Sequence, residues 1–193
     1  MFFKPLTTLA TCALAGVIAA QVAFAGGMGG GGPTVPIGFT GNTATSFGLI
    51  DVTVGTGNID MGTDGTITYG AGYSGAATGT PGGFVVTGDT GFTVDISCSA
   101  TGVIANARGG TMNLTNIEFV IDKGNNAGAF GTGNACLGVG NTSLSIAIRN
   151  NTSQNTFAVG MRIDGTSGVP FGAGLFSTSN AGGTPITFDV VYQ

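Results

Sequence analysis

The sequence predicts an all-β fold, a β-sandwich of short strands. Three observations carry this. The chain holds 38 glycines and only 7% charged residues, with no histidine and no tryptophan. Helix formers are scarce outside the first segment, while Val, Ile, Thr and Phe are common; this is the profile of an extracellular protein with many tight turns. The third is the end of the chain. In Ile186-Thr187-Phe188-Asp189-Val190-Val191-Tyr192-Gln193 the residues Ile186, Phe188, Val190 and Tyr192 alternate with the rest. A period of two marks a half-buried strand.

Residues 1–25 read as a signal peptide. Met1 to Lys4 give a short positive start, Leu6 to Ala20 are largely apolar, and Ala23-Phe24-Ala25 has the form of a cleavage site. An uncleaved membrane helix is the alternative, disfavoured by weak hydrophobicity and by the cleavage motif. Cys12 comes too early for a lipoprotein. Export to the periplasm, and then to the cell surface or beyond, is the expected localisation. The mature chain is of one-domain size, about 170 residues. It holds four basic and nine acidic residues, a net charge of −5. No basic patch for nucleic acid is present, nor a polybasic membrane surface, and no transmembrane segment is expected in the mature chain.

Residues 26–45 form a Gly-rich extension. Its first part, GGMGGGGPT, is a flexible linker by composition. Val35-Pro36-Ile37-Gly38-Phe39 then alternates, and Pro36 restricts it to an edge strand or to addition from outside. From residue 46 to 193 strand signals become regular. Leu49–Val54, Thr66–Tyr69 and Gly83–Thr87 come first. Phe92, Val94, Ile96 and Cys98 alternate with polar residues, as do Leu144, Ile146 and Ile148, and Phe157, Val159, Met161 and Ile163. Of these eleven, the nine other than Cys98 and Ile163 are the expected core. Met112, Leu114, Ile117, Phe119 and Ile121 form a longer stretch whose phase changes near Thr115-Asn116, which predicts a bulge or turn. Gly-, Asn-, Asp- and Ser-rich turns lie between. No fixed repeat is visible, so a solenoid or propeller is not favoured.

Cys98 and Cys136 remain after the leader, and an even pair in an exported chain predicts one disulfide. Catalysis is poorly supported. Without histidine there is no Ser–His or Cys–His arrangement. Glu118, the only glutamate, alternates outward beside Ile117 and Phe119 and reads as a solvated side chain. Asp60-Met61-Gly62-Thr63-Asp64-Gly65 lacks the spacing of a calcium loop, and turn chemistry explains Asp64-Gly65 more simply. Asn113, Asn141 and Asn150 begin glycosylation-type triplets, of a kind expected by chance in so Asn- and Thr-rich a chain. Neither a metal nor another cofactor is expected.

Several short motifs occur in a telling order. They are Phe47-Gly48-x-Ile50, Gly65-Thr66-Ile67-Thr68, Phe84-Val85-Val86-Thr87-Gly88, Gly110-Thr111-Met112-x-Leu114, Val139-Gly140-x-Thr142-x-Leu144-Ser145-Ile146 and the terminal Phe188–Gln193. Over residues 46–193 the chain resembles the bacterial "four-four-zero-two" domain-of-unknown-function family of secreted, pilin-like proteins, with spore-coat-U-type pilins second. The resemblance implies an immunoglobulin-like sandwich lacking its final strand. Tyr192, the penultimate residue, resembles the terminal signature of pilins. The glycine that pilins often place some dozen residues earlier is displaced here, to Gly182 or Gly183. A periplasmic chaperone and an outer-membrane usher are the implied assembly partners.

The expectation is therefore a structural subunit of an extracellular fibre, partnered by copies of itself. Val35, Ile37 and Phe39 would act as a donor strand. The acceptor groove would be lined by Leu144, Ile146 and Ile148 and by Ile186, Phe188 and Val190. The alternative is a self-contained secreted adhesin or surface-binding module, with Val35–Phe39 folded back onto its own domain.

Overall fold

The computed structural model describes residues 7–11, 31–52, 57–121, 126–149, 154–165 and 175–193. The cleavage motif, the first glycines of the linker, Thr53-Val54 and the Asn150 triplet lie outside them. The described residues contain strands and turns and no helix. In chain order the strands are β1 Thr7–Thr11, β2 Gly38–Thr43, β3 Ser46–Val52, β4 Ile59–Met61 and β5 Ile67–Tyr69. Then come β6 Tyr73–Gly75, β7 Gly82–Thr87, β8 Thr93–Cys98, β9 Gly102–Ala105 and β10 Thr111–Ile121. The last five are β11 Asn134–Ala135, β12 Leu144–Ala147, β13 Gln154–Asp164, β14 Leu175–Phe176 and β15 Phe188–Tyr192.

The fold is an all-β sandwich. Its larger sheet is organised by β10 and β13, paired antiparallel from Asn113↔Asp164 to Ile121↔Phe157. The other edge of β13 is shared: Met161–Ile163 pair β4, and Gln154–Val159 pair β7. Gly160 sits at the change of partner. A Cβ there would lie 2.6 Å from the Met61 carbonyl oxygen, so only glycine lets the two backbones approach. The smaller sheet has the order β12-β8-β15. The two sheets meet through aromatic rings. Phe188 of the small sheet lies 4.6 Å from Phe84 and 5.8 Å from Phe119 of the large one, and Phe84 stacks on Phe157 at 4.7 Å. Aromatic contacts of this spacing add to the area they bury.

Expected core residues Val94, Ile96, Ile148, Phe157, Val159 and Met161 are buried; Phe92, Leu144 and Ile146 are half-buried against them. Cys98 and Cys136 are joined, with Cα atoms 5.2 Å apart across 38 residues of sequence. A loop of that length gives about 4 kcal/mol in the chain-entropy account. The bond ties β8 of the small sheet to the segment after β11, where the Cys136 N–H donates to the Ile117 carbonyl at 2.9 Å.

The phase change near Thr115-Asn116 is a bulge. The β10–β13 register shifts between Thr115 and Glu118, and Asn116 takes φ +46°. The reading of Glu118 as a solvated residue is corrected, because both faces of β10 are covered after the bulge. After the bulge Ile117, Glu118, Phe119 and Val120 are all buried, and Glu118 is only 5% exposed. Its carboxylate is covered by the loop that precedes β11. The Gly131 N–H donates to both carboxylate oxygens at 3.0 Å, and the Gly133 N–H donates to one at 3.0 Å.

The expected acceptor groove is also corrected. β12 and β15 do not flank a gap, because β8 lies between them and pairs with both. Ile148, Ile186, Phe188 and Val190 are already buried in the core, and Leu144 and Ile146 pack against it. Alternation identified which faces are apolar but not which strand comes between them.

A third sheet, β14-β1-β3-β6, includes Thr7–Thr11, which fall in the segment expected to be a signal peptide. β1 runs antiparallel to β3 and parallel to β14, with Leu9 opposite both Leu49 and Leu175. Those two leucines are among the few large apolar side chains that stay exposed.

Candidate functional site: a clamp on the N-terminal strand

The extension before residue 46 docks on its own chain. β2 pairs antiparallel with β7, Gly38 opposite Thr87 and Phe39 opposite Val86, with a register shift between Thr40 and Thr43. β7 is held on its other side by β13, so β2 is the edge strand, as a nearby proline requires. The three residues expected to act as a donor strand behave differently from one another. Ile37 is buried at 8% exposure and Phe39 is half-buried, its ring 6.2 Å from Phe84. Val35 stays 47% exposed.

What holds Val35 is its backbone. Pro36 has no N–H, and the ladder with β7 begins only at Gly38. The polar main-chain groups of the residues before it find other partners. The turn from β7 to β8 places Asp89 beside them. One oxygen of its carboxylate accepts from the N–H of Thr34, from the N–H of Val35 at 2.9 Å and from the Thr34 hydroxyl at 3.1 Å. The hydroxyl of Tyr192, near the end of β15, donates to the Val35 carbonyl at 2.8 Å and accepts from the Asp89 N–H at 2.7 Å. Gly88 leaves room for it, since a Cβ there would run into that hydroxyl and lie 2.6 Å from Ile148 Cδ1. The Tyr192 ring is fixed edge-on to Phe92 at 6.1 Å.

The Asp89 carboxyl is held below its ordinary range. The Val35 N–H is the largest cause, then the Thr34 N–H, with the Thr34 hydroxyl adding to them and desolvation opposing. The clamp thus offers a charged acceptor for two consecutive N–H groups and a donor for the next carbonyl. That is chemistry for binding an extended backbone.

The other residues weighed for chemistry have structural roles. Asp64 accepts from the Thr66 N–H at 2.8 Å and Gly65 takes φ +86°, so this stretch is a turn. Asp60 pairs with Arg162, Nε–Oδ1 2.6 Å and Nη2–Oδ2 2.9 Å, and the guanidinium lies 5.2 Å from the Phe130 ring centroid. Asp95 accepts from the hydroxyl of Ser145 and from the Gln193 side-chain amide at 2.7 Å, on the outer face of the small sheet. Asn113 and Asn141 are exposed. Among the described residues no group of three His, Cys, Asp or Glu side chains is placed to hold a metal ion.

Two sheet edges bear on assembly. The residues of β15 that bond to β8 are the odd-numbered ones: the Ser99 N–H reaches the Thr187 carbonyl at 3.0 Å and the Gln193 N–H reaches Thr93 at 3.1 Å. The main-chain groups of Phe188, Val190 and Tyr192 therefore point the other way, where no described strand pairs with them. The second edge lies under β1, which alone joins β3 to β14.

Sequence reasoning singled out Tyr192 and missed Asp89. The one signal for Asp89 was its place in a Gly-Asp-Thr-Gly turn directly after a strand. Comparison of the chain with protein-family models, with curated proteins and with solved structures found no match.

Proposed function

We propose that this chain is a non-enzymatic structural subunit of an extracellular bacterial fibre, linked to its neighbours by exchange of the N-terminal strand. The observation that carries this reading is the way residues 33–43 are attached. They form an edge strand, held by one ladder, one buried isoleucine and the clamp, and joined to β3 by Ala44 and Thr45 alone. An edge element on so short a tether can leave its own β7 and occupy that of a second copy, making the same contacts in trans. Short hinges favour such exchange. The acceptor in this reading is the β7 edge with Asp89 and Tyr192, in place of the groove first expected between β12 and β15. Removal of residues 1–25 would also strip β1 from β3 and β14 and leave an unpaired edge flanked by Leu49 and Leu175, a further place for a strand to add.

The pairing of β2 with β7 within one chain favours a second reading, a self-contained secreted adhesin or surface-binding module. Size-exclusion chromatography of residues 26–193, followed by gel electrophoresis without boiling, separates the two. A fibre subunit gives a ladder of heat-sensitive multimers resistant to detergent; a monomer at every concentration supports the adhesin. An immunoglobulin-like, pilin-like assignment and handling by a periplasmic chaperone and usher belong to the same proposal.

A further inference from the structure

The clamp has a property that neither the fold nor the fibre reading requires: within two residues of the present register it can accept only one dipeptide of the extension. We infer that Asp89 and Tyr192 form a backbone-reading site that fixes the register of the N-terminal strand on β7, and that in an assembly its occupant is residues 33–43 of a second copy. The second half rests on the fibre-subunit reading; the first does not.

The apolar residues of the strand do not by themselves set its register. Val35, Ile37 and Phe39 repeat every second residue. A slip of two residues therefore brings Val35 or Phe39 to the place of Ile37, leaving an apolar side chain in the buried position. Gly38, where a Cβ would lie 2.6 Å from Thr87 Oγ1, and Gly41, at φ +62°, favour the present register from within the ladder, while Thr40 to Asn42 are exposed and add nothing to it. Glycine-rich strands with polar faces are the ones prone to slippage.

The clamp removes that ambiguity through two prolines. It needs two consecutive N–H groups, which Thr34 and Val35 supply. Pro33 precedes this pair and Pro36 follows it. A shift of one or two residues in either direction puts Pro33 or Pro36 at one of the two donor positions, where proline has no N–H. Only Pro33-Thr34-Val35-Pro36 in the present register satisfies Asp89 with both donors while Tyr192 holds the Val35 carbonyl. The Thr34 hydroxyl, 3.1 Å from the same carboxylate, adds a side-chain preference.

Cysteine pairs in the full chain test this. Gly38→Cys with Thr87→Cys reports the observed register, because those residues are directly opposed. Gly38→Cys with Val85→Cys reports a slip of two, the register in which Gly32-Pro33 enters the clamp. In an otherwise unchanged chain we expect the 38–87 bond and essentially no 38–85 bond, read by peptide mapping under non-reducing conditions. Pro33→Ala restores the missing donor and should raise the 38–85 product severalfold. Asp89→Ala, which removes the acceptor oxygen, and Tyr192→Phe should each lower the 38–87 product and spread the cross-links over both positions. Retention of the Cys98–Cys136 bond certifies the fold of each variant. If every variant that keeps that bond gives the 38–87 product alone, the clamp does not set the register and the inference is overturned. The mass of the product is a separate readout. A bond between chains supports strand exchange; a bond within one chain removes the second copy as occupant and the fibre reading with it, while the register result stands on its own.

Discussion

The hydroxyl of Tyr192 donates to the carbonyl of Val35 at 2.8 Å, bridging 157 residues of sequence. Through the Asp89 N–H, which the same oxygen accepts at 2.7 Å, the last strand, the turn after β7 and the N-terminal extension share one hydrogen-bonded point. Neither partner of such a bond is cheap to lose where water is restricted. The docking of the extension is thereby coupled to the integrity of β15, although the two strands do not pair.

Acid should open this point. The folded-state pKa of Asp89 is depressed, first by the Val35 N–H and then by the Thr34 N–H. A carboxylate of this kind contributes stability above the ordinary aspartate range, and that contribution is lost as pH falls through the folded-state value. Hydrogen exchange at residues 34–40 is therefore expected to accelerate below about pH 4, the ordinary range for aspartate, before the core strands lose protection. Asp89→Ala, which has no acceptor oxygen, should exchange fast at every pH. A wild-type extension whose protection tracks the core down to the acid transition would contradict this.

Glu118 should matter to stability. Its carboxylate receives two backbone N–H groups from the loop that covers it. Glu118→Ala leaves those donors without an acceptor and is expected to cost about 1–2 kcal/mol. Glu118→Gln keeps one acceptor oxygen and should lose less. Chemical denaturation of both variants checks the order; a neutral alanine variant would mean that solvent replaces the carboxylate without penalty.

The strand faces were legible in the sequence because side-chain alternation is a local signal. Val94 and Ile96, Phe157 to Met161, and Phe188 to Tyr192 carry it plainly, and the break at Thr115-Asn116 announced the bulge. What failed was non-local. Nothing in the alternation of Leu144–Ile148 and Ile186–Val190 states that β8 separates them. Glu118 was misread because the loop before β11 covers the face opposite Ile117 and Phe119, and such cover leaves no mark in the alternation. The clamp was hidden because a side chain bonding to backbone leaves no periodicity. Its prolines were visible, but the carboxylate they bracket lies 55 residues away.

Two isoleucines near β12 differ in depth. Ile146, at the centre of the segment first assigned to the core, is half-buried, whereas Ile148 is 1% exposed. Ile148→Ala should cost about 2–5 kcal/mol, the usual range for a buried aliphatic truncation, and Ile146→Ala distinctly less. Paired melting curves decide it, and equal losses would show that β12 is packed more deeply than this geometry allows.

The fibre reading makes its strongest demand on residues 26–41. Deleting them removes the Thr34-Val35 dipeptide, Ile37 and the first half of β2. The β7 edge, Asp89 and Tyr192 then lose their occupant while the rest of the sandwich keeps its own contacts. Such a chain should be exported yet fail to form multimers, because it has an acceptor and no donor. A synthetic peptide of residues 33–43 should restore the missing ladder from outside. Its stabilising effect should grow with the logarithm of its concentration, as binding to the folded state alone requires. The same peptide with Thr34 and Val35 both replaced by proline offers no N–H to Asp89 and should stabilise far less. Multimers formed by the deleted chain would mean that some other edge, such as that of β15 or the one beneath β1, joins the subunits. A peptide without effect on the melting temperature would leave β2 as a strand that serves only its own domain, and the self-contained module would stand.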